Sequence, residues 1–343
     1  MNKLTTLLVS SLLTFSCMAD YQPSDLFKIK GLSIGQAQDN QGVTGVTVLR
    51  FDQGATAGVD VRGAAPGTRE TDLLKPENLV DKVHAIVLSG GSAFGLDSMS
   101  GVMNYLEQQD IGFDVGVAKV PIVTGAVLFD LTIGSPKARP DAAMGMLAAK
   151  NASRQQFIEG SVGAGTGATI GKIAGADHVL KSGIGSYAIE LDDGVIVAAI
   201  VAVNAWGDVI KGDHVYAGIR NANNNGFISG KDLLLQGKKG NGFAGRNTTI
   251  GAIVTNATLT KSQALKIAQM GHDGFARAIS PVHSMYDGDT LFAAGTGEVN
   301  APDLNTLGVA AAEAVQQAIY RAVDSATSLG GIPARKDIVA QAN

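Results

Sequence analysis

The residue types with the most chemical promise meet at Asn247-Thr248-Thr249. Inside a chain, threonine is a weak nucleophile. At the start of a chain its own α-amine stands beside its hydroxyl. That amine has an unperturbed pKa of roughly 7.7–8.0, so near neutrality it can act as general base for the hydroxyl. The surroundings favour a cut between Asn247 and Thr248. A polar segment from Gly237 to Arg246, rich in glycine and basic residues, ends abruptly, and the β-type run Ile250 to Val254 follows the threonines. An exposed loop meeting a buried strand is a natural point of cleavage. Plainer descriptions fit the same residues. Threonine is common where a loop enters a strand, and Asn247-Thr248-Thr249 matches the N-glycosylation pattern, as do Asn151-Ala152-Ser153 and Asn256-Ala257-Thr258.

Other stretches offer chemistry of lower specificity. Asp287-Gly288-Asp289 spaces two carboxylates as a cation site would, or as ordinary turn chemistry would. Asn204 closes an apolar run, where an amide needs hydrogen-bond partners. Gly90-Gly91-Ser92-Ala93-Phe94-Gly95 lies between a short apolar strand and helically spaced Leu96, Met99, Val102, Met103 and Leu106. Phosphate loops and nucleophile elbows share that layout. The second glycine of G-x-S-x-G is missing, so packing glycines describe the stretch better than a Ser92 nucleophile. Gly160 to Lys172 nearly spells a P-loop, but Thr166 and Ile173 stand where the first glycine and the Ser or Thr belong. Its Gly163-x-Gly165-x-x-Ala168 fits a dinucleotide fingerprint without a strong strand before it. A backbone passing very close to another element accounts for the glycines. The five histidines form no metal pattern, so neither metal nor cofactor is expected.

The elements that must position these groups are legible in outline. Val43 to Phe51 and Ala57 to Val61 read as strands around a hairpin at Asp52-Gln53-Gly54. Val115 to Leu131 is apolar, broken at Pro121 and Gly125, and a helix covers Asp141 to Ala152. Two strands flank Asp192-Asp193-Gly194 within Ser186 to Val203. Thr260 and Gln263 form a capping box opening a helix to Ile279, and Leu291 to Ala294 is a short strand. Leu307 to Val323 is an alanine-rich helix. With 343 residues, 45% hydrophobic, 17% charged and a net charge of −4, the chain supports a large core. The mildly acidic balance, without a basic run, argues against nucleic acid and an electrostatic membrane anchor. Residues 1–19 read as a signal peptide: Lys3, the apolar stretch Leu4 to Phe15, and a small-residue cleavage site at Cys17-Met18-Ala19. It is too short for stable membrane insertion. The expected product is a single periplasmic or secreted domain, residues 20–343, without cysteine.

Taken together, the stretches resemble the DmpA-type self-processing hydrolases. That family includes L-aminopeptidase/D-esterases, β-peptidyl aminopeptidases and the nylon-oligomer hydrolase. The resemblance runs from Gly31 to Gly297. It is carried by Leu88-Ser89-Gly90-Gly91-Ser92-Ala93-Phe94-Gly95-Leu96, Val120-Pro121-Ile122-Val123, Gly163-Ala164-Gly165-Thr166-Gly167-Ala168, Asn204, Asn247-Thr248-Thr249 and Asp287-Gly288-Asp289. It implies an α+β fold, an α-β-β-α sandwich of the DmpA/ornithine-acetyltransferase type. It also implies autocleavage into residues 20–247 and 248–343, and a homo-oligomer of the cleaved α/β units. Carried over, Thr248 is nucleophile and, through its freed amine, its own base. Asn204 donates to the oxyanion, and Asp287 and Asp289 hold the α-ammonium. Lys172 resembles a lysine of the nylon-hydrolase branch. The aminopeptidases carry an acidic residue just after Val-Pro-x-Val, where this chain has Thr124-Gly125-Ala126. That departure widens the expected substrate from peptides with a free amine to short peptide-like amides. Two alternatives remain: an acyltransferase of the ornithine-acetyltransferase fold, which would need an acceptor other than water, and a non-catalytic exported binding protein of the same fold.

Overall fold

β2, Thr44–Val61, is the 18-residue strand on which the sheet turns. The computed structural model describes residues 21–191, 194–238 and 247–340. The expected signal segment, with Cys17, lies outside them, as does most of the polar segment before Asn247. The other strands of the main sheet are β1 (Leu32–Asp39), β3 (Thr68–Arg69), β4 (Lys82–Ser89), β5 (Val123–Val127), β6 (Ile184–Glu190), β7 (Ile196–Ala202), β8 (Ile250–Ala257) and β9 (Thr290–Val299). They run in the order β6-β7-β8-β9-β2-β4-β5-β3, with β1 also paired to β2. The pairs β8–β9 and β4–β5 are parallel. The pairs β6–β7, β7–β8, β9–β2 and β2–β4 are antiparallel.

The hairpin expected at Asp52-Gln53-Gly54 does not form. Gly54 takes a φ of +71°, but the chain bulges there and continues. The pairing with β4 jumps from Arg50↔Ala85 to Ala55↔Val83 across it. A glycine of positive φ serves a bulge as readily as a turn. Before the bulge β2 pairs with β1, and after it with β9, so one strand belongs to two halves of the sheet. Gly125 likewise does not break its stretch, since β5 runs through it.

The two halves face each other across a shared apolar layer. Strand alternation assigns the faces. Ala198, Ile200, Ala202, Ile250, Ala252 and Val254 meet Leu49, Phe51, Ile86 and Leu88 in the middle. On the outer face of one half, Val197, Ala199 and Val201 pack against helices α4 (Lys261–Ala278) and α5 (Leu304–Asp324). On the other, Val46, Val48, Ala85 and Val87 pack against α1 (Ser98–Gln108) and α2 (Ala142–Lys150), and α3 is the short helix Gly230–Leu235. The result is the expected α-β-β-α sandwich. α4 opens with the Thr260–Gln263 capping box, and Asp141 caps α2 by accepting from the Met144 N–H. Each fully buried Leu, Ile or Phe in these layers contributes roughly 1.5–3 kcal/mol.

The glycines of 160–171 behave as a close pass. A Cβ at Gly165 would stand 2.3 Å from the Ile184 nitrogen and 2.4 Å from the Gly160 oxygen. No α-helix follows directly on Lys172; the chain passes through a two-residue strand, Thr169–Ile170, then a turn and a single 3-10 turn at Ala176–His178. That is not the strand-loop-helix of a phosphate loop.

Candidate active site

Strand order brings the candidate residues together. β8 and β9 are parallel neighbours in register, Ile250 opposite Thr290, so the residues just before each strand lie side by side. Asn247 forms a parallel bridge to Asp287. The Gly288 N–H donates to the Asn247 carbonyl at 3.0 Å, and the Thr290 N–H to the Thr249 carbonyl at 3.1 Å. On the other side, Ala202 of β7 stands opposite Ile250. Two residues later the Asn204 carbonyl accepts the Thr248 N–H at 3.0 Å. Asn204, Thr248 and Asp287 thus sit at the ends of three adjacent strands.

Asn247 and Thr248 are 1% and 3% exposed, so the bond between them lies inside the fold. The Thr248 hydroxyl donates to the Asn247 carbonyl oxygen. That oxygen therefore receives two donors, the hydroxyl and the Gly288 N–H, which together polarise the carbonyl. Gly288 has to be glycine, because a Cβ would come 2.4 Å from the Ala65 oxygen and 2.8 Å from Thr248 Oγ1.

The Asn204 side chain is wholly buried and fixed in one orientation. Its Oδ1 accepts from the Thr169 N–H at 3.0 Å and from Lys172 Nζ at 2.8 Å. Its Nδ2 donates to the Phe129 carbonyl at 2.9 Å, which leaves that nitrogen a second hydrogen to give. Lys172 Nζ also donates to the Asn204 carbonyl at 3.0 Å. Burial draws this ammonium below the ordinary lysine range, against the pull of Asp287, Asp130 and Asp289.

The two acids do different work. Asp287 accepts from the Trp206 N–H at 3.1 Å and from the N–H and hydroxyl of Ser284. Burial, then the neighbouring Asp289, pushes its carboxyl up to about 6. Asp289 Oδ1 accepts the Thr249 N–H at 2.7 Å, and its Oδ2 is held by His283. Asp289 thus grips the peptide after Thr248.

The sequence profile of peptidase family S58 matches residues 25–336. The chain belongs to peptidase family S58. An uncharacterized aminopeptidase of Mycobacterium leprae is 38% identical over 313 residues, 84% of each chain. The 6-aminohexanoate-oligomer endohydrolase of Paenarthrobacter ureafaciens is 33% identical over 283 residues, 80% of this chain and 76% of that one. Among solved structures, a β-aminopeptidase of Burkholderia sp. covers 92% of both chains at a TM-score of 0.64 and 21% identity. The L-aminopeptidase D-Ala-esterase/amidase of Ochrobactrum anthropi, described as a variant of the Ntn hydrolase fold, gives 0.63 at 18% identity over 90% of this chain and 88% of that one. These last two carry the fold alone. This S58 peptidase is a hydrolase of amide bonds of the aminopeptidase and amidase type.

All five residues singled out in the sequence, Lys172, Asn204, Thr248, Asp287 and Asp289, fall in this one region. Four that the sequence reading did not assign join them: Thr169, Phe129, Gly288 and His283. The first three act through backbone groups, which side-chain types do not reveal. Among the described residues, no group of three or more His, Cys, Asp or Glu is arranged to hold a metal ion, and no helix is long and apolar enough to cross a membrane.

Proposed function

We propose that this S58 peptidase is an exported enzyme that cuts its own chain between Asn247 and Thr248. It then uses Thr248 to hydrolyse short peptides or peptide-like amides. In the cut, Thr248 Oγ1 attacks the Asn247 carbonyl carbon, and the hydroxyl proton passes to the departing Thr248 nitrogen. The resulting ester is hydrolysed by water, leaving an Asn247 carboxylate and a free Thr248 amine. In turnover that amine takes the Thr248 hydroxyl proton as Oγ1 attacks the substrate carbonyl, and gives it to the substrate nitrogen as the amide C–N bond breaks; the acyl group stays on Oγ1 until water releases it as a carboxylate. Asn204 Nδ2 gives its second hydrogen to the developing oxyanion, and its bonds to Phe129, Thr169 and Lys172 hold it rigid for that purpose.

One observation carries the reading: the Thr248 hydroxyl lies on the Asn247 carbonyl that Gly288 already polarises. The names of the relatives support the substrate class. Thr124, Gly125 and Ala126 lie inside β5 with no carboxylate to grip a substrate ammonium, so the reading extends to amides without a free amine. On a denaturing gel the wild-type protein should run as two bands, and Thr248→Ala as a single uncut band with no amidase activity. Two bands from Thr248→Ala would mean that another protease cuts the chain, and the mechanism would fall.

A further inference from the structure

His283 takes no part in the reaction sketched above, yet its conformation is unusual. Its φ is +55°, in the left-handed region where a residue with a Cβ is strained. Such strain persists where the surroundings over-determine it. Here both donors of the residue converge on one atom. The backbone N–H at 3.0 Å and ring Nδ1 at 2.8 Å each reach Asp289 Oδ2. An ionised carboxylate only accepts, so Nδ1 carries the proton. Ring Nε2 is buried without a hydrogen-bond partner. The rings of His272 and Phe275 pack beside it, with centroids 4.8 Å and 6.0 Å away. His272 spends its Nε2–H on the Asp60 carbonyl at 3.1 Å. The polar contacts of the His283 ring thus concentrate on Asp289, whose other oxygen holds the Thr249 N–H at 2.7 Å.

We propose that His283 is a positioning residue for the nucleophile. Its left-handed backbone lets main chain and ring grip Oδ2 of Asp289 together. Oδ1 is thereby aimed at the peptide that fixes Thr248. A histidine serving only to fill space would need neither the strained φ nor two donors on one oxygen. The inference rests on Thr248 being the nucleophile, and the test separates the two ideas.

The test uses full-length chain made by cell-free translation, with the disappearance of the uncut band timed on a denaturing gel. No external substrate is needed. Two variants are decisive, His283→Asn and His283→Asp. Both side chains tolerate the left-handed region and have the same size. The first retains an N–H donor near the Nδ1 position, and the second sets an acceptor against an acceptor. Melting midpoints are taken on the Thr248→Ala background, where every chain stays uncut, and rates are read well below both midpoints. His283→Asn should cut within about threefold of wild type, and His283→Asp on the order of 10–100-fold more slowly, the scale of a misplaced reacting group. Wild-type speed in His283→Asp overturns the proposal. So does equal slowness in the two variants. Cutting by Thr248→Ala itself would instead remove the nucleophile reading beneath it.

Discussion

Lys181 and Lys172 are both drawn inward, and they are held in different ways. Lys181 is 0% exposed, and its ammonium donates to three backbone carbonyls, those of Gly165, Ala168 and Ser182. Lys172 gives its bonds to the carbonyl and side-chain oxygens of Asn204 and lies in the field of Asp287, Asp130 and Asp289. The first lysine ties a glycine-rich loop shut, because two of its acceptors, Gly165 and Ala168, are main-chain atoms of that loop. The second bears on Asn204, the side chain proposed above to donate to the oxyanion. What a buried charge touches, more than its burial, separates a structural pin from a part of the site.

The comparison can be broken by substitution. The largest effect should come from Asn204→Ala, which removes the proposed oxyanion donor and the side-chain acceptor of Lys172 together. In processed enzyme kcat should fall on the order of 10²–10³-fold with the shape of the pH–rate profile kept; a shifted limb would give Asn204 a proton-transfer role instead. Next is Lys172→Met, expected to lower kcat by about 10-fold or more with little change in melting. If Lys172 works by holding Asn204, the double variant should be no slower than Asn204→Ala alone, and additive losses would refute that route. Lys181→Met should do the reverse. Orphaned buried carbonyls should cost about 3 kcal/mol in denaturant unfolding, while kcat of the folded fraction stays within about threefold.

The smallest effect concerns pH. Burial pulls the Lys181 ammonium down to about 7, against 10.5 for an ordinary lysine. Above that value the folded lysine sheds its proton while the unfolded one keeps it, so unfolding takes up a proton and stability rises with pH. The melting midpoint of wild type should therefore climb between about pH 7 and pH 9 more steeply than that of Lys181→Met.

Much of this was legible in the sequence, for identifiable reasons. Apolar spacing marked α1, alanine richness marked α5, and the Thr260–Gln263 box marked the start of α4, which the structure keeps. Asn204 and Thr248 stood out because each is polar at the end of an apolar run. The course of β2 through Gly54 was not legible, since the same glycine suits a reversal and a bulge. Neither was Lys181, because burial of a lysine depends on carbonyls that converge from Gly165 and Ala168. His283 was hidden for a related reason: its spacing from Asp289 means little until the left-handed turn brings ring and carboxylate together.

The strand order has a further consequence for when the chemistry can begin. β6 and β7 reach β2 only through β8 and β9. A ribosome that has released residues only as far as Asn247 has therefore made two pieces of sheet with a gap between them. β8 and β9 fill that gap as a wedge, and their arrival assembles Asp287, Gly288 and Asp289 around the Asn247–Thr248 bond. For the proposed self-cleavage, this order keeps the bond silent until β8 and β9 have paired. Once the wedge is in, β7–β8 and β9–β2 ladders join residues on either side of the bond. A cut there would free two chain ends without releasing either piece.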